Sequence, residues 1–152
     1  MNQGKNLDAC LHEVTIPTHL LHKPYLQPVY DHPQFLIRNV WRRYGGWYDG
    51  EPDNLLPAPR AQQATEWIEL AGGVDNVLAR AQQLLDEGDP RLACHLAEFA
   101  ALAAPDNADV WAVRAAAYQA HSAQHTSSMA RNLLGHAALA SEQGKRDLAG
   151  DY

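Results

Sequence analysis

Hydrophobic and polar residues follow the spacing of amphipathic helices through the second half of the chain. From residue 60 onwards, alanine and leucine recur every three or four positions, and the alternation typical of strands is rare. Gly72-Gly73, Gly88-Asp89-Pro90 and Pro105-Asp106-Asn107 interrupt the pattern. The sequence therefore predicts an all-α fold with helices at about residues 60–71, 74–87, 90–103, 107–121 and 126–141.

Proline and glycine divide the first 59 residues into shorter pieces. Apolar residues at helical spacing within residues 6–14 predict a short helix, with Asn6 as its N-cap. Between residues 16 and 30, three prolines each remove a backbone donor, so this stretch is expected to be an extended arm. Its apolar side chains are too numerous for a free tail, and the arm is expected to lie against another surface.

A helix with both apolar and basic residues is predicted to begin at Asp31, which would cap it ahead of Pro33, and to end at Gly45-Gly46. Its apolar stripe comprises Leu36, Ile37, Val40, Trp41 and Tyr44. One interpretation is a buried aromatic stripe with solvated arginines. The other is a surface that holds a neighbouring domain or an anion, because guanidinium groups offer paired donors. The candidate contact residues are Arg38, Asn39, Arg43, Tyr44 and Trp47.

The helical half also contains an internal match at an offset of 34 residues. Asp75 pairs with Asp109 and Arg80 with Arg114 at this offset, which is the period of a tetratricopeptide repeat. One full copy and part of a second are too few for an independent solenoid. We therefore predict tetratricopeptide-like hairpins within a helical bundle. The expected division is a linker helix and Pro-rich arm (1–30), an Arg/aromatic helix and GGWYDG loop (31–59) and a helical domain (60–152), with 31–152 forming one unit.

Composition and charge exclude several classes of function. Residues 1–60 carry six basic and six acidic side chains, whereas residues 61–152 carry six basic and twelve acidic ones. The acidic half argues against nucleic-acid binding. No apolar run is long enough for a membrane span, and the N-terminus lacks the apolar centre of a signal peptide, so a soluble and, by default, cytoplasmic protein without a membrane partner is expected.

The residue types that could carry chemistry do not form a recognisable catalytic set. A small metal-dependent hydrolase would have to use His19, His22 and His32, yet no carboxylate follows His19 and His22 at ligand spacing. Cys10 and Cys94 lack paired spacing and are expected to be buried. The sequence predicts no catalytic residue, no metal ligand and no cofactor in this chain.

The segment RNVWRRYGGWYDGEPDNLLPAP, residues 38–59, resembles the dimerisation region of the alkyl sulfatases of the metallo-β-lactamase superfamily. The later GG, GD and PDN breaks follow that family in the same order, so the resemblance covers almost the whole chain. Two positions depart from it. Phe35 stands where some members have a histidine that faces the substrate, and Glu51 replaces the usual asparagine before Pro52.

This resemblance implies a non-catalytic domain that forms a homodimer and contacts a metallo-β-lactamase-like catalytic domain, in cis or in trans. It also implies that two zinc ions for sulfate-ester hydrolysis are bound in that catalytic domain, whose HxHxDH motif does not occur in this sequence. The resemblance also implies that the domain can form part of the wall of the substrate entrance. The alternative is a stand-alone tetratricopeptide-like adaptor that binds a peptide in its helical groove, which predicts a monomer.

Overall fold

The computed structural model describes residues 3–147 and contains only helices, turns and loops there, which confirms the all-α prediction. Two short 3-10 helices, Pro24–Leu26 and Pro52–Asn54, accompany the α-helices. The α-helices are α1 (Leu7–Glu13), α2 (Thr18–Leu21), α3 (Pro33–Tyr44), α4 (Arg60–Leu70), α5 (Val74–Asp86), α6 (Pro90–Ala103), α7 (Ala108–Ala123) and α8 (Ser128–Glu142).

The described residues group into two compact units. Unit 1 comprises residues 3–57 and 126–130, and unit 2 comprises residues 58–125 and 131–147. Unit 1 contains α1 to α3, whereas unit 2 contains α4 to α7. Helix α8 begins in unit 1 and continues in unit 2.

Unit 2 is built around α6, which packs against α4, α5 and α7. Small side chains allow these helices to approach closely, because an alanine adds little volume between two backbones. Two helix starts carry the caps that their sequences suggest: an oxygen of Asp89 accepts from the Leu92 amide, and one of Asn107 accepts from the Asp109 amide. The fully buried alanines of unit 2 include Ala64, Ala81, Ala93, Ala97, Ala100 and Ala117.

The N-terminal arm is not uniformly extended, so that prediction is wrong for two short stretches. Residues Thr18–Leu21 form one turn of α-helix after Pro17, and Pro24 begins a 3-10 turn that ends at Leu26. A proline is compatible with the first turn of a helix, because the amides there have no partner within the helix. These two prolines therefore start short helices rather than prevent them.

The start of α3 differs in one residue from the sequence prediction. The cap is His32, whose Nδ1 accepts from the Gln34 amide at 3.2 Å. Asp31 instead accepts from the His32 amide at 2.9 Å through Oδ1. A histidine nitrogen can accept a backbone hydrogen bond as a capping oxygen does, and composition alone favours the aspartate.

The arm is held to the first residues of α8 by backbone hydrogen bonds within unit 1. The amides of Ser128 and Met129 donate to the carbonyls of Val29 and Tyr30, at 2.9 and 3.0 Å. The buried Ser127 hydroxyl donates to the same Tyr30 carbonyl at 2.9 Å. Arm carbonyls thus satisfy the free amides of a helix start about a hundred residues away in sequence.

Candidate functional site

Helix α3 contains no buried residue, although many of its side chains are apolar. Within unit 1, helix α1 packs against one side of α3. The half-buried Ile37 and Trp41 lie on that side, while Leu36, Val40 and Tyr44 are exposed. The apolar stripe expected from the sequence is therefore split between two sides of α3.

The first of these sides borders an open groove of about 480 Å³, here called the Arg38 groove. Two guanidinium groups and two indole rings line it, so it combines positive charge with flat apolar surface. Its lining residues are Leu7, Arg38, Trp41, Arg42, Gly46 and Trp47.

The loop that follows α3 holds Trp47 in an exposed position. The Trp41 indole nitrogen donates to the Tyr48 carbonyl at 3.0 Å, which ties the loop back to the helix. Gly46 supplies a positive φ of 83° that reverses the chain. Trp47 is nevertheless 84% exposed, so a fixed loop presents an aromatic side chain to solvent.

Asp49 organises the rest of the loop. One of its carboxylate oxygens accepts from the Glu51 amide at 2.9 Å and the other from the Asn54 side chain at 2.7 Å. The bond from the Glu51 amide, followed by the bond from Asn54, lowers the pKa of Asp49 below its ordinary value. The Asp49 carbonyl accepts from the Leu7 amide at 2.8 Å, which joins the loop to α1.

The second side of α3, here called the α3 outer face, consists of Leu36, Asn39, Val40, Arg43 and Tyr44. Leu36, Val40 and Tyr44 are four residues apart and all more than half exposed. The five candidate residues from the sequence are therefore divided. Two line the Arg38 groove and three lie on the α3 outer face, so the structure does not bring them into one site.

Unit 2 has an exposed apolar surface that the sequence analysis missed. Helix α4 buries Ala64 and Ile68, but its Trp67 is 58% and its Leu70 is 78% exposed. Glu66 and Glu69 are exposed on the same helix. We call these four exposed residues the α4 outer face. The sequence did contain a signal for this surface, because Trp67 and Leu70 are large apolar residues that lie three positions apart and outside the buried stripe of α4.

A buried ionic cluster in unit 2 was also missed. Arg114 is only 3% exposed, and its Nε donates to a Glu98 carboxylate oxygen at 2.8 Å. The Tyr118 hydroxyl donates to the same oxygen at 2.7 Å, while Arg146 donates to the other oxygen at 3.1 Å. Arg114 also donates to the Ser141 hydroxyl at 2.6 Å. Every group in the cluster thus has a partner.

Electrostatics keep this cluster in one charge state. Burial by itself raises the pKa of Glu98, but the Tyr118 hydrogen bond and the charges of Arg114 and Arg146 lower it below the ordinary value. Burial and the neighbouring Glu98 charge raise the pKa of the Tyr118 hydroxyl. Glu98 is therefore a carboxylate and Tyr118 a neutral donor at neutral pH, which suits a structural role.

A cysteine and a histidine meet in unit 2 but lack the properties of a nucleophile and its base. Cys94 Sγ lies 3.8 Å from Nδ1 of His121. Burial, with the charge of Glu98, raises the pKa of Cys94 to about 12. Burial, with the nearby His125, lowers the pKa of His121 to about 4. Both groups are neutral at pH 7, and a neutral thiol is a weak nucleophile.

The lowered pKa of His121 gives a pH-dependent prediction. Histidine in the unfolded chain titrates near 6.5 and His121 in the folded chain near 4. Between these values the unfolded state binds the additional proton, so the free energy of unfolding is expected to fall from pH 6.5 to pH 4 and to be independent of this group above pH 6.5. Urea denaturation of His121→Gln should show a weaker fall in this window. Gln119→Ala, which alters an exposed side chain of the same helix and removes no titratable group, should keep the slope of the unchanged chain.

The histidine-based hydrolase obtains no support from the geometry. Within residues 3–147, no group of three or more His, Cys, Asp or Glu side chains could hold a metal ion. No helix of that part of the chain is both long and apolar enough to cross a membrane.

Comparison with known proteins identifies relatives over nearly the whole chain. A family model described as alkyl sulfatase dimerisation matches residues 6–144. An (R)-specific secondary-alkylsulfatase from Pseudomonas sp. is 35% identical over 134 residues, covering 88% of this chain and 20% of the relative. A linear primary-alkylsulfatase from a Pseudomonas strain is 36% identical over 101 residues, covering 66% of this chain and 19% of the relative.

The fold has a solved counterpart. The structure of the stereoselective inverting sec-alkylsulfatase Pisa1 from Pseudomonas sp. superposes with a TM-score of 0.87 at 34% identity, over 95% of this chain and 23% of that one. The chain thus spans about a fifth of the length of the curated relatives it matches. The matched region is a minor part of each relative.

Proposed function

Because the chain belongs to the alkyl sulfatase dimerisation family, whose model matches residues 6–144, we propose that it joins two copies of an alkylsulfatase-like protein into a homodimer. The observation that carries this proposal is α3, an ordered twelve-residue helix without a single buried residue. Apolar helix faces that stay exposed in one copy are typical of surfaces that a partner covers.

Sedimentation equilibrium on the purified chain tests this proposal. We expect twice the mass of one chain over about a hundredfold range of protein concentration, since dimers with extended apolar interfaces dissociate only at high dilution. A single-chain mass at the highest concentration would contradict it and would favour the adaptor.

The catalytic chemistry of such a protein belongs, in this proposal, to a region outside residues 3–147. Zinc-assisted hydrolysis of an alkyl sulfate needs a metal centre, and the described residues do not form one. The two zinc ions would therefore be held by the catalytic domain. This chain would hold the two copies together and provide contact surfaces, and it would supply no catalytic group.

We further propose that the loop at Tyr44–Asp49 lies beside the entrance to that catalytic domain, with Arg38 and Trp47 forming part of its wall. The fixed loop and the mixture of guanidinium and indole groups in the Arg38 groove support this assignment, because such a wall suits an anion with an alkyl chain.

In an enzyme that contains both regions, Trp47→Ala is expected to raise KM for alkyl sulfates several-fold. Tyr25→Ala, which removes an equally exposed aromatic group outside the groove, should leave KM unchanged. An unchanged KM in Trp47→Ala would refute the placement.

A further inference from the structure

The α3 outer face combines apolar side chains with an unpaired positive charge. Leu36, Val40 and Tyr44 form its apolar stripe, and Tyr44 is 77% exposed. Arg43 lies one turn from Val40 at its edge. Within the described part of the chain, no carboxylate forms an ion pair with Arg43.

The α4 outer face has the opposite charge around similar apolar groups. Trp67 and Leu70 are exposed one turn apart, and Glu66 and Glu69 are adjacent to them. Neither glutamate forms an ion pair with another residue in the range 3–147. The α3 outer face therefore has a positive charge without an acidic partner, and the α4 outer face has negative charges without a basic partner.

We propose that the α3 outer face of one copy packs against the α4 outer face of a second copy, with Arg43 beside Glu66 and Glu69. This inference rests on the proposed dimerisation and specifies the surfaces that perform it. A two-fold dimer would form the contact twice, because each chain carries both faces.

Charge argues for this pairing over the two symmetric ones. Pairing the α3 outer face with its own copy would leave Arg43 without an acidic partner in the interface, and pairing the α4 outer face with its own copy would oppose glutamates. Like charges across an interface are unfavourable, whereas opposite charges select the partner and its register. The apolar groups, with Trp67 the largest, would supply most of the affinity.

Exchange of the charges tests the pairing. Arg43→Glu and Glu66→Arg, each alone, are expected to raise the dimer dissociation constant about tenfold or more, because each places like charges in both contacts of its own dimer. An equimolar mixture of the two variants should restore the dimer to within about threefold of the unchanged chain. In the mixed dimer, one contact pairs the two exchanged charges with each other, and the second contact keeps the original Arg43 and Glu66. Restoration in a mixture also shows that both variants are folded.

Two variants with the same changes of charge elsewhere serve as controls. Arg131→Glu and Glu142→Arg alter exposed residues of α8 that belong to neither face, and both should keep the dissociation constant of the unchanged chain. Sedimentation velocity, with one variant fluorescently labelled, measures all the constants.

The outcomes separate this inference from the proposed function. If the unchanged chain is dimeric and neither single change weakens it, the pairing is wrong and dimerisation stands. The same conclusion follows if both changes weaken the dimer and the mixture does not restore it. If the unchanged chain is monomeric, the proposed function is itself wrong and the pairing falls with it.

Discussion

Replacing Glu98 with glutamine is expected to lower the free energy of unfolding by about 3–5 kcal/mol, the usual effect of removing one partner from a buried ion pair. The carboxylate accepts from Arg114, Tyr118 and Arg146, and the Arg114 side chain is 3% exposed. An amide keeps the shape of the side chain but leaves the buried guanidinium without its counter-charge. Urea denaturation followed by circular dichroism measures the loss.

An exposed ion pair in the same unit is the matched control for this prediction. Arg80 and Glu87 are 3.1 Å apart, and both side chains are about half exposed. Glu87→Gln removes the same charge by the same change of atoms, and it should lower the free energy of unfolding by less than about 1 kcal/mol. Equal losses in the two variants would mean that burial of the Glu98 cluster contributes nothing.

The helices of unit 2 could be predicted from the sequence because the signals that define them are local. The spacing of alanine and leucine identified each segment as a helix. Gly72-Gly73 and Gly88-Asp89-Pro90 marked where one helix ends and the next begins. The observed helices begin and end within two residues of the predicted positions. The tetratricopeptide-like arrangement and the domain division remain predictions.

The features that could not be predicted depend on residues far apart in the chain. Glu98 and Arg114 are sixteen positions apart on different helices, so no helical spacing relates them. Likewise, the composition of α3 gives an apolar stripe but does not say which part of it faces α1. A sequence pattern reports that a surface is apolar, whereas exposure depends on which element packs against it.

Replacing Gly50 with alanine is expected to destabilise unit 1 by about 1.5–4 kcal/mol, for two separate reasons. Gly50 has φ of 95°, a conformation that is unfavourable for an alanine by about 1–2 kcal/mol. A Cβ at this position would also lie 2.6 Å from the Asn6 Cβ, so Asn6 must move. Asn6 caps α1 and bonds the Glu51 side chain, and a lost N-cap accounts for about 0.5–2 kcal/mol.

Gly46→Ala separates the two contributions, because Gly46 has φ of 83° but open space where its Cβ would stand. It should show only the backbone contribution, about 1–2 kcal/mol. Hydrogen exchange at the amides of Leu7 and Ala9 reports on unit 1 directly, since these groups donate to Asp49 and to Asn6. We expect faster exchange at both amides in Gly50→Ala than in Gly46→Ala. The same rates in the two variants would show that the close approach of Gly50 to Asn6 does not hold the loop against α1.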